Sequence, residues 1–426
     1  MLQQADASLW SNRVFARMFV SYSLSTFGDW FDFVAMMILF GYVWQADPIM
    51  MSLVPVAYAI PGILAGQHAG VLADRYRKLP LMIGADLICG VLTVALLAAD
   101  SPLLALPLLL CRSAASLFHE PAQQALIRHI VPEEKLLEAT TWLGSVFQLS
   151  KVLGPLIGSV VLTFASVQLC LIINAASFFI SALLLLSVAP ESESAGQPES
   201  DGENQAPVQM QGAWREGWRI LATSRMLLGS FLFTMVAFAA VEMIDIQLPI
   251  IFREAAPDQP ELTGWCVSAI GIGSFLSLFA INRRKRLRSY SWPIAGGTVL
   301  LGLMFLSVGL YTAGTPIIWP LTIAFAGGIG NGMLFAGFTY LVQTETPKEA
   351  IGRIYGIIES VRSAIFIIAP LIGGGLVSLL GPAVMFQLTG VLIVLIGTVG
   401  FIGKKRIWSA PPAHVKQAET HSLPLN

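Results

Sequence analysis

Long apolar stretches alternate with short polar segments along most of this 426-residue chain. A helix needs about 20 mostly apolar residues to cross the hydrocarbon core of a bilayer. Twelve stretches meet that length, at residues 15–44, 49–69, 80–99, 102–127, 138–165, 167–189, 227–251, 263–282, 291–312, 316–344, 354–380 and 382–403. Lipid offers no hydrogen-bond partner to the backbone, so such stretches cross as helices. The pattern predicts an all-α membrane protein with twelve transmembrane helices.

The positive charges predict the orientation of these spans. If the N-terminus is cytoplasmic, 21 of the 25 lysines and arginines lie in cytoplasmic segments. Only Arg253 lies on the other side, while Arg112, Lys151 and Arg362 lie within spans. Cytoplasmic loops carry an excess of positive charge. We therefore expect a multi-pass protein of the bacterial inner (plasma) membrane with both termini in the cytoplasm.

The segment 190–213 differs from the rest, because it is rich in Pro, Ser, Gln and Glu and has no Lys or Arg. It reads as a disordered cytoplasmic linker, followed by a short amphipathic surface helix near 214–226. The predicted domains are a six-helix bundle at 1–189, a linker with that helix at 190–226, a second six-helix bundle at 227–403 and a cytoplasmic tail at 404–426.

The two predicted bundles share a sequence pattern. Pro132 and Pro155 are separated by 23 residues, as are Pro347 and Pro370, and the second proline of each pair begins the tetrapeptide Pro-Leu-Ile-Gly. One offset of 215 residues relates both pairs. This regularity favours internal duplication over coincidence. Repeated halves are typical of alternating-access transporters, with the site between the halves near the midplane.

Composition excludes several other classes of function. Hydrophobic residues make up 55% of the chain and charged residues only 12%, against roughly 25% charged in soluble domains. A net charge of -1 gives no reason to expect a nucleic-acid partner. The four cysteines lie singly in apolar runs, so neither a disulfide nor a metal site is predicted. The sequence has no phosphate-binding loop and no nucleophile–base pair, so we expect neither ATP hydrolysis, nor enzymatic activity, nor a cofactor.

Two pairs of acids stand inside apolar spans. Asp29 and Asp32 lie three residues apart in span 1, and Glu242 and Asp245 have the same spacing in span 7. Ionisable residues at a helix centre cost about 2.5–3.5 kcal/mol each, which makes both pairs candidates for binding protons or substrate. The alternative is that they only connect neighbouring helices through hydrogen bonds.

Arg112 in span 4 is the candidate partner of one of these acids. Its charge could control proton exchange at a nearby carboxylate, either Glu120 or Asp32, or it could form a purely structural ion pair across helices. Both interpretations stay open at this point.

The loop between spans 2 and 3 reads Gly70-Val71-Leu72-Ala73-Asp74-Arg75-Tyr76-Arg77-Lys78. It resembles the signature loop of the major facilitator superfamily, whose pattern is Gly-x-x-x-Asp-Arg-x-Gly-Arg followed by Lys or Arg. Gly70, Asp74 and Arg75 match it, while the later glycine is missing. The resemblance implies that Gly70 allows close helix approach. It also implies that Asp74 sits at the cytoplasmic N-terminus of span 11 and latches an outward-facing state.

Further segments narrow the resemblance to the macrolide-efflux branch and to enterobactin-type siderophore exporters. The segments similar to these branches are Leu81–Leu87, Arg112-Ser113, Phe118–Ala122, Val131–Glu134, Gln343–Pro347 and Gly352–Ile354. In span 5, Gly154-Pro155-x-x-Gly158 is similar to the core of the antiporter motif, with serines where the fuller motif has glycines.

The resemblance implies a monomeric secondary transporter that exports an amphipathic small molecule in exchange for protons. A macrolide-like drug and a siderophore are comparable candidates for the substrate. A lysophospholipid transporter or flippase is the alternative, since that branch also carries a Phe-Gly-Asp stretch in span 1, here Phe27-Gly28-Asp29. A membrane sensor without transport activity is the remaining alternative.

Overall fold

A computed structural model describes residues 9–188, 210–283, 289–347 and 350–408 of the chain. Within helices it gives the backbone but not the side chains of 67–75, 148, 151–152, 155, 159, 163, 210–214, 282 and 406. Most of the predicted linker and the tail beyond Trp408 therefore lie outside the described residues.

The described chain is almost entirely helical. Its α-helices are α1 (Arg13–Ile38), α2 (Pro48–Arg75), α3 (Lys78–Leu96), α4 (Pro102–Ser116), α5 (His119–Ile130), α6 (Leu136–Phe164), α7 (Val167–Leu186), α8 (Met210–Thr223), α9 (Arg225–Glu242), α10 (Leu248–Ala255), α11 (Glu261–Asn282), α12 (Ser291–Gly309), α13 (Ile318–Glu345), α14 (Ile351–Leu380), α15 (Pro382–Ile402) and α16 (Lys404–Ile407). A π-helical turn, Leu39–Val43, continues α1.

Eleven helical segments of the described chain are long and apolar enough to cross a membrane. They coincide with every predicted span except the fifth, where α6 runs for 29 residues. At 1.5 Å per residue a helix of that length also reaches across a bilayer. The predicted all-α membrane fold is confirmed.

Two predicted spans are interrupted rather than continuous. Span 4 divides into α4 and α5 around Leu117 and Phe118, and span 7 divides into α9 and α10 around a 3-10 turn at Asp245–Gln247. Each interruption is followed by a proline, Pro121 in α5 and Pro249 in α10. Proline lacks the N–H of a helical hydrogen bond and its ring collides with the carbonyl four residues earlier, so the chain leaves the helix before it.

The chain divides into two compact units. Unit 1 comprises Met1–Gly202 with Pro257–Ser268, and unit 2 comprises Glu203–Ala256 with Ala269–Asn426. In unit 1, α1 packs against α6 and α7, and α3 packs against α4, α5 and α7. In unit 2, α12 packs between α13 and α15, and α9 packs against α14. The domain boundaries expected from the sequence stay a prediction.

Helix α8 lies on the predicted amphipathic segment and packs within unit 2. Leu221 is buried, and the Trp218 ring meets the Phe231 ring of α9 edge to face with centroids 5.9 Å apart. On its other side, Glu216 pairs with Arg353 of α14 at 2.6 Å. The apolar face of α8 therefore covers the first turns of α9 and α14.

Candidate functional site

Arg112 organises a buried polar cluster in unit 1. One guanidinium nitrogen, Nη2, donates to the Asp32 carboxylate and, at 2.9 Å, to the Tyr58 hydroxyl. The other, Nη1, donates to Thr93 Oγ1 at 3.4 Å. Asp32 is 0% exposed and Arg112 is 4% exposed. Side chains from α1, α2, α3 and α4 thus meet at one buried ion pair.

The Asp32 carboxylate is bonded through only one of its oxygens. Oδ2 accepts from Arg112 and, at 3.2 Å, from the Tyr58 hydroxyl. Oδ1 is buried and has no hydrogen-bond partner among the described residues. An unsatisfied buried polar atom costs about 1–3 kcal/mol. A proton or a donor group of a ligand would satisfy this atom, so the cluster has an open acceptor position.

Asp29 lies in a different environment from Asp32, although both stand on α1. Its side chain is exposed, whereas Asp32 is fully buried. Asp29 is still close enough to Arg112, Asp32 and Asn174 to interact electrostatically with them. The two carboxylates predicted as a pair are therefore unequal: Asp32 is buried in an ion pair with Arg112, whereas Asp29 is exposed and has no ion pair among the described residues.

Glu120 stands apart from this cluster. It is exposed at the start of α5, and in the described part of the chain no ion pair joins it to Arg112. The interruption before α5 removes Glu120 from the helical path that a continuous span would give it. Of the two partners considered for Arg112, the structure brings Asp32 to it.

In unit 2 the acids Glu242 and Asp245 stand on either side of the interruption in span 7. Glu242 is the last residue of α9, and Asp245 begins the 3-10 turn. Both are half-buried, and each lies within electrostatic range of the other. Acids three residues apart on a continuous helix would share one face, but α9 ends at Glu242, so these two do not. Interrupted helices with acids at the gap are typical of substrate and ion sites in transporters.

Arg362 of α14 lies within electrostatic range of Glu242. Its guanidinium stands 5.5 Å from the centre of the Phe238 ring of α9 and pairs with Glu359 at 3.2 Å. Glu359 is exposed and Arg362 is half-buried. Around the gap in span 7 the structure therefore brings together two acids, the guanidinium of Arg362 and the aromatic face of Phe238. Such a set suits a ligand with both polar and apolar parts.

The antiporter-like glycines of α6 lie against the acid-bearing segment of α1. A Cβ atom added to Gly154 would collide with the Trp30 side chain. One added to Gly158 would lie 3.6 Å from Phe31 Cα. Trp30 and Phe31 are the two residues between Asp29 and Asp32, so the glycines fix the distance between α6 and the acids.

The matching glycine of α14 has the same relation to span 7. A Cβ atom on Gly373 would lie 2.5 Å from the carbonyl carbon of Met243 and 2.8 Å from its Cα. Met243 follows Glu242 directly and precedes the 3-10 turn at Asp245. The repeated Pro-Leu-Ile-Gly therefore places a glycine against the residues between two acids in each unit.

The motif residues Gly70, Asp74 and Arg75 lie in the last two turns of α2. Their side chains, like that of Pro155 in α6, are outside the described set. The latch assigned to Asp74 stays a prediction.

The sequence did not single out Tyr58, Thr93 or Asp86. Tyr58 and Thr93 are partners of Arg112, and hydroxyl groups in apolar helices carry no pattern that identifies them beforehand. Asp86 is buried in α3. Asp86 is also an ionisable residue inside an apolar span, which is the signal that identified the other acids and could have identified this one.

A chain of helices long enough to span a bilayer, with a buried ion pair and acids at an interrupted span, defines a polytopic membrane transporter. The family model described as "Major Facilitator Superfamily" matches residues 18–370 and 259–425. The chain belongs to this superfamily, which is a family of transporters rather than of enzymes, as predicted.

Known proteins agree with this assignment. The MFS-type transporter YfiS of Bacillus subtilis is 30% identical over 90% of this chain and 92% of its own length. Macrolide efflux protein A of Streptococcus pyogenes is 23% identical over 82% of this chain and 86% of its own. The predicted similarity to macrolide-efflux proteins is thereby confirmed at low identity.

A solved structure of a bacterial homologue of the human lysosomal transporter Spinster, inward-facing and occupied, superimposes with a TM-score of 0.69. The superposition covers 94% of this chain and 98% of the homologue's chain, and the two sequences are 14% identical. At this identity the likeness shows the fold alone.

Proposed function

We propose that this transporter exports an amphipathic small molecule from a bacterial cell in exchange for protons. In this proposal it is a monomer of the inner membrane with both termini cytoplasmic, and the bundles 1–189 and 227–403 expose their acids alternately to the two sides. The similarity to a macrolide efflux protein supports the direction of transport, and the distribution of Lys and Arg supports the orientation.

The observation that carries the proton coupling is the free, buried Oδ1 of Asp32. A proton bound there neutralises the carboxylate and removes its attraction for Arg112, while Tyr58 and Thr93 remain as hydrogen-bond partners of the guanidinium. Because these four side chains come from four helices, the loss of that attraction changes what holds α1 against α2, α3 and α4. Protonation is thus coupled to helix packing.

The substrate side of the exchange is assigned to unit 2. Glu242 and Asp245 flank non-helical backbone, a setting that is typical of substrate and ion sites in transporters. The Phe238 ring and Arg362 lie on the neighbouring surfaces of α9 and α14. A ligand with both apolar and polar parts matches this combination, which agrees with a macrolide-like drug or a siderophore.

A lysophospholipid is the second candidate substrate, supported by the stretch Phe27-Gly28-Asp29. In the structure this stretch places an exposed carboxylate on α1, directly after a buried glycine. An exposed acid on that helix could receive the cationic headgroup of a lysolipid.

The test uses inside-out membrane vesicles with an acidic interior reported by a pH-sensitive dye. Erythromycin, a catecholate siderophore and lysophosphatidylethanolamine are added in turn. The expected result is proton release on addition of one of them. Asp32→Asn should abolish this release, whereas Asp100→Asn, the same change at an exposed loop acid, should retain it.

Two outcomes would contradict the proposal. Release that is unchanged in Asp32→Asn would remove Asp32 from proton coupling. Substrate accumulation that persists after the pH gradient is collapsed would remove proton exchange altogether.

A further inference from the structure

A second buried polar cluster in unit 1 is centred on Asp86 of α3. The Ser181 hydroxyl of α7 donates to Asp86 Oδ2, and the Ser21 hydroxyl of α1 lies 2.6 Å from that of Ser181. Asp86 is 3% exposed, and both serines are fully buried. Three helices therefore meet at a carboxylate that the proposed exchange at Asp32 does not use.

The other carboxylate oxygen of Asp86 faces the first side chain of α5. His119 Nε2 lies 3.6 Å from Asp86 Oδ1, which is beyond ordinary hydrogen-bond length. This nitrogen is buried and has no hydrogen-bond partner in the part of the chain that the structure describes. A shift of under about 1 Å would bring the two atoms into hydrogen-bond contact.

The ionisable neighbours leave His119 as the one group that can balance the charge of Asp86. Arg112 on α4 is taken by Asp32. The other groups within electrostatic range of Asp86 are Asp29 on α1 and Cys89 on α3, and Glu120 lies within range of His119. None of these can supply a positive charge, and α7 contributes a serine hydroxyl. Within the described ranges, no lysine or arginine pairs with Asp86.

We propose that Asp86 and His119 together form a second proton-binding site of unit 1. A proton from water binds to the pair and lies between Oδ1 and Nε2, either as carboxylic acid beside neutral imidazole or as carboxylate beside imidazolium. Both arrangements leave the pair neutral, so one proton satisfies the unpaired nitrogen without leaving a net charge in the helix bundle. Ser181 holds the carboxyl group from the opposite side, and Ser21 in turn is hydrogen-bonded to Ser181.

Asp29 connects this site with the Arg112 cluster. It lies within electrostatic range of Asp86 and also of Asp32. A proton arriving at the Asp86–His119 pair therefore changes the field at Asp29, and through it the field at Asp32. The use of the pair in transport rests on the proposed function, whereas proton binding itself does not.

The test is infrared difference spectroscopy of the full-length protein in liposomes without any substrate. The pH is changed from about 3 to about 8, an interval wide enough to include the titration of a buried imidazole as well as that of an ordinary histidine. In the wild type, a carboxyl band and an imidazole band should change over the same interval. Asp86→Asn should remove the carboxyl band, and His119→Gln should remove the imidazole band and displace the carboxyl titration by about one pH unit.

Asp100→Asn is the matched control and should leave both bands in place. Ser181→Ala, which leaves both titrating groups present, should change the frequency of the carboxyl band without removing it. It therefore reports on Asp86 even where Asp86→Asn does not fold. Spectra of Asp86→Asn or Ser181→Ala that match the wild type would overturn the proposal, as would carboxyl and imidazole bands that titrate independently. Since no transport is measured, a failure here is distinct from a failure of drug–proton exchange.

Discussion

The Arg112–Asp32 pair makes the sharpest prediction about stability. Each partner is removed with little change of shape, by Arg112→Met and by Asp32→Asn, and the two changes are then combined. Both side chains are buried, and the guanidinium bonds three side chains from three other helices. Either single change therefore leaves a buried charge without its partner, whereas the double change leaves none.

The expected free-energy changes follow from that difference. Two unit charges about 4 Å apart attract by about 4 kcal/mol at an effective dielectric constant of about 20. Loss of one partner of a buried pair costs about 3–5 kcal/mol in the free energy of unfolding. We expect each single variant to lose about that much. The double variant should lose no more than either single variant, which gives a coupling of at least about 3 kcal/mol.

The assay is reversible unfolding in mixed detergent micelles, followed by tryptophan fluorescence of the wild type, both single variants and the double variant. A matched cycle of Arg353→Met and Glu216→Gln serves as the control, because that pair is 34% and 45% exposed and should couple by less than about 1 kcal/mol. Additive changes at Arg112 and Asp32, to within about 0.5 kcal/mol, would refute the reasoning.

Two substitutions of glycine test helix contacts in unit 2. Gly373→Val places side-chain atoms on the Met243 backbone, so we expect a loss of about 1–3 kcal/mol in unfolding free energy and loss of efflux. Gly375→Val on the same helix, where nothing lies within 4 Å of an added Cβ, should change neither, and equal effects of the two would contradict the packing role. Gly217→Val puts its Cβ 2.9 Å from Ile357 Cδ1, so it should loosen the contact of α8 with α14 and speed tryptic cleavage of α8. An unchanged digestion pattern would contradict this contact.

The membrane fold could be predicted from the sequence because lipid imposes one rule on every span, namely length and apolarity. The interruptions in spans 4 and 7 were not predicted, although Pro121 and Pro249 are visible in the sequence. Proline is tolerated in membrane helices, where neighbours can satisfy the freed backbone groups. Whether a proline bends a helix or ends it depends on how neighbouring helices pack around it, which the sequence does not show.

The acids of the candidate site could also be predicted, but their partners could not. A carboxylate in an apolar span is visible in any sequence, whereas its nearest cation depends on how helices turn about their axes. Arg112 had two candidate partners, Glu120 in its own predicted span and Asp32 three spans away, and the structure pairs it with Asp32. Glu120 became exposed because α5 starts anew after the interruption. The contacts of Asp86 with Ser181 and His119 join three helices, which no local pattern encodes.

The repeated tetrapeptide predicted a duplication, and the contacts of its glycines give a physical reason for its retention. Gly158 and Gly373 each approach the residues between two acids, and a Cβ atom at Gly373 would collide with the Met243 backbone, as one at Gly154 would collide with Trp30.

The charges have not been retained in the same way. The offset of 215 residues places Gly327 at the position that corresponds to Arg112. Span 10 of the chain, which corresponds to span 4, therefore has a glycine where span 4 has its buried arginine. Asp32 is held by a buried cation, while Glu242 and Asp245 lie at the gap in their helix, and the cation that the structure places near Glu242 is the half-buried Arg362, which pairs with Glu359. The two units therefore pack a glycine against their acids in the same way, but only the Asp32 carboxylate of unit 1 is held by a buried arginine among the described residues. Units that differ in this way are suited to binding different species. This asymmetry is why we assign the proton to Asp32 and the exported molecule to the acids of unit 2.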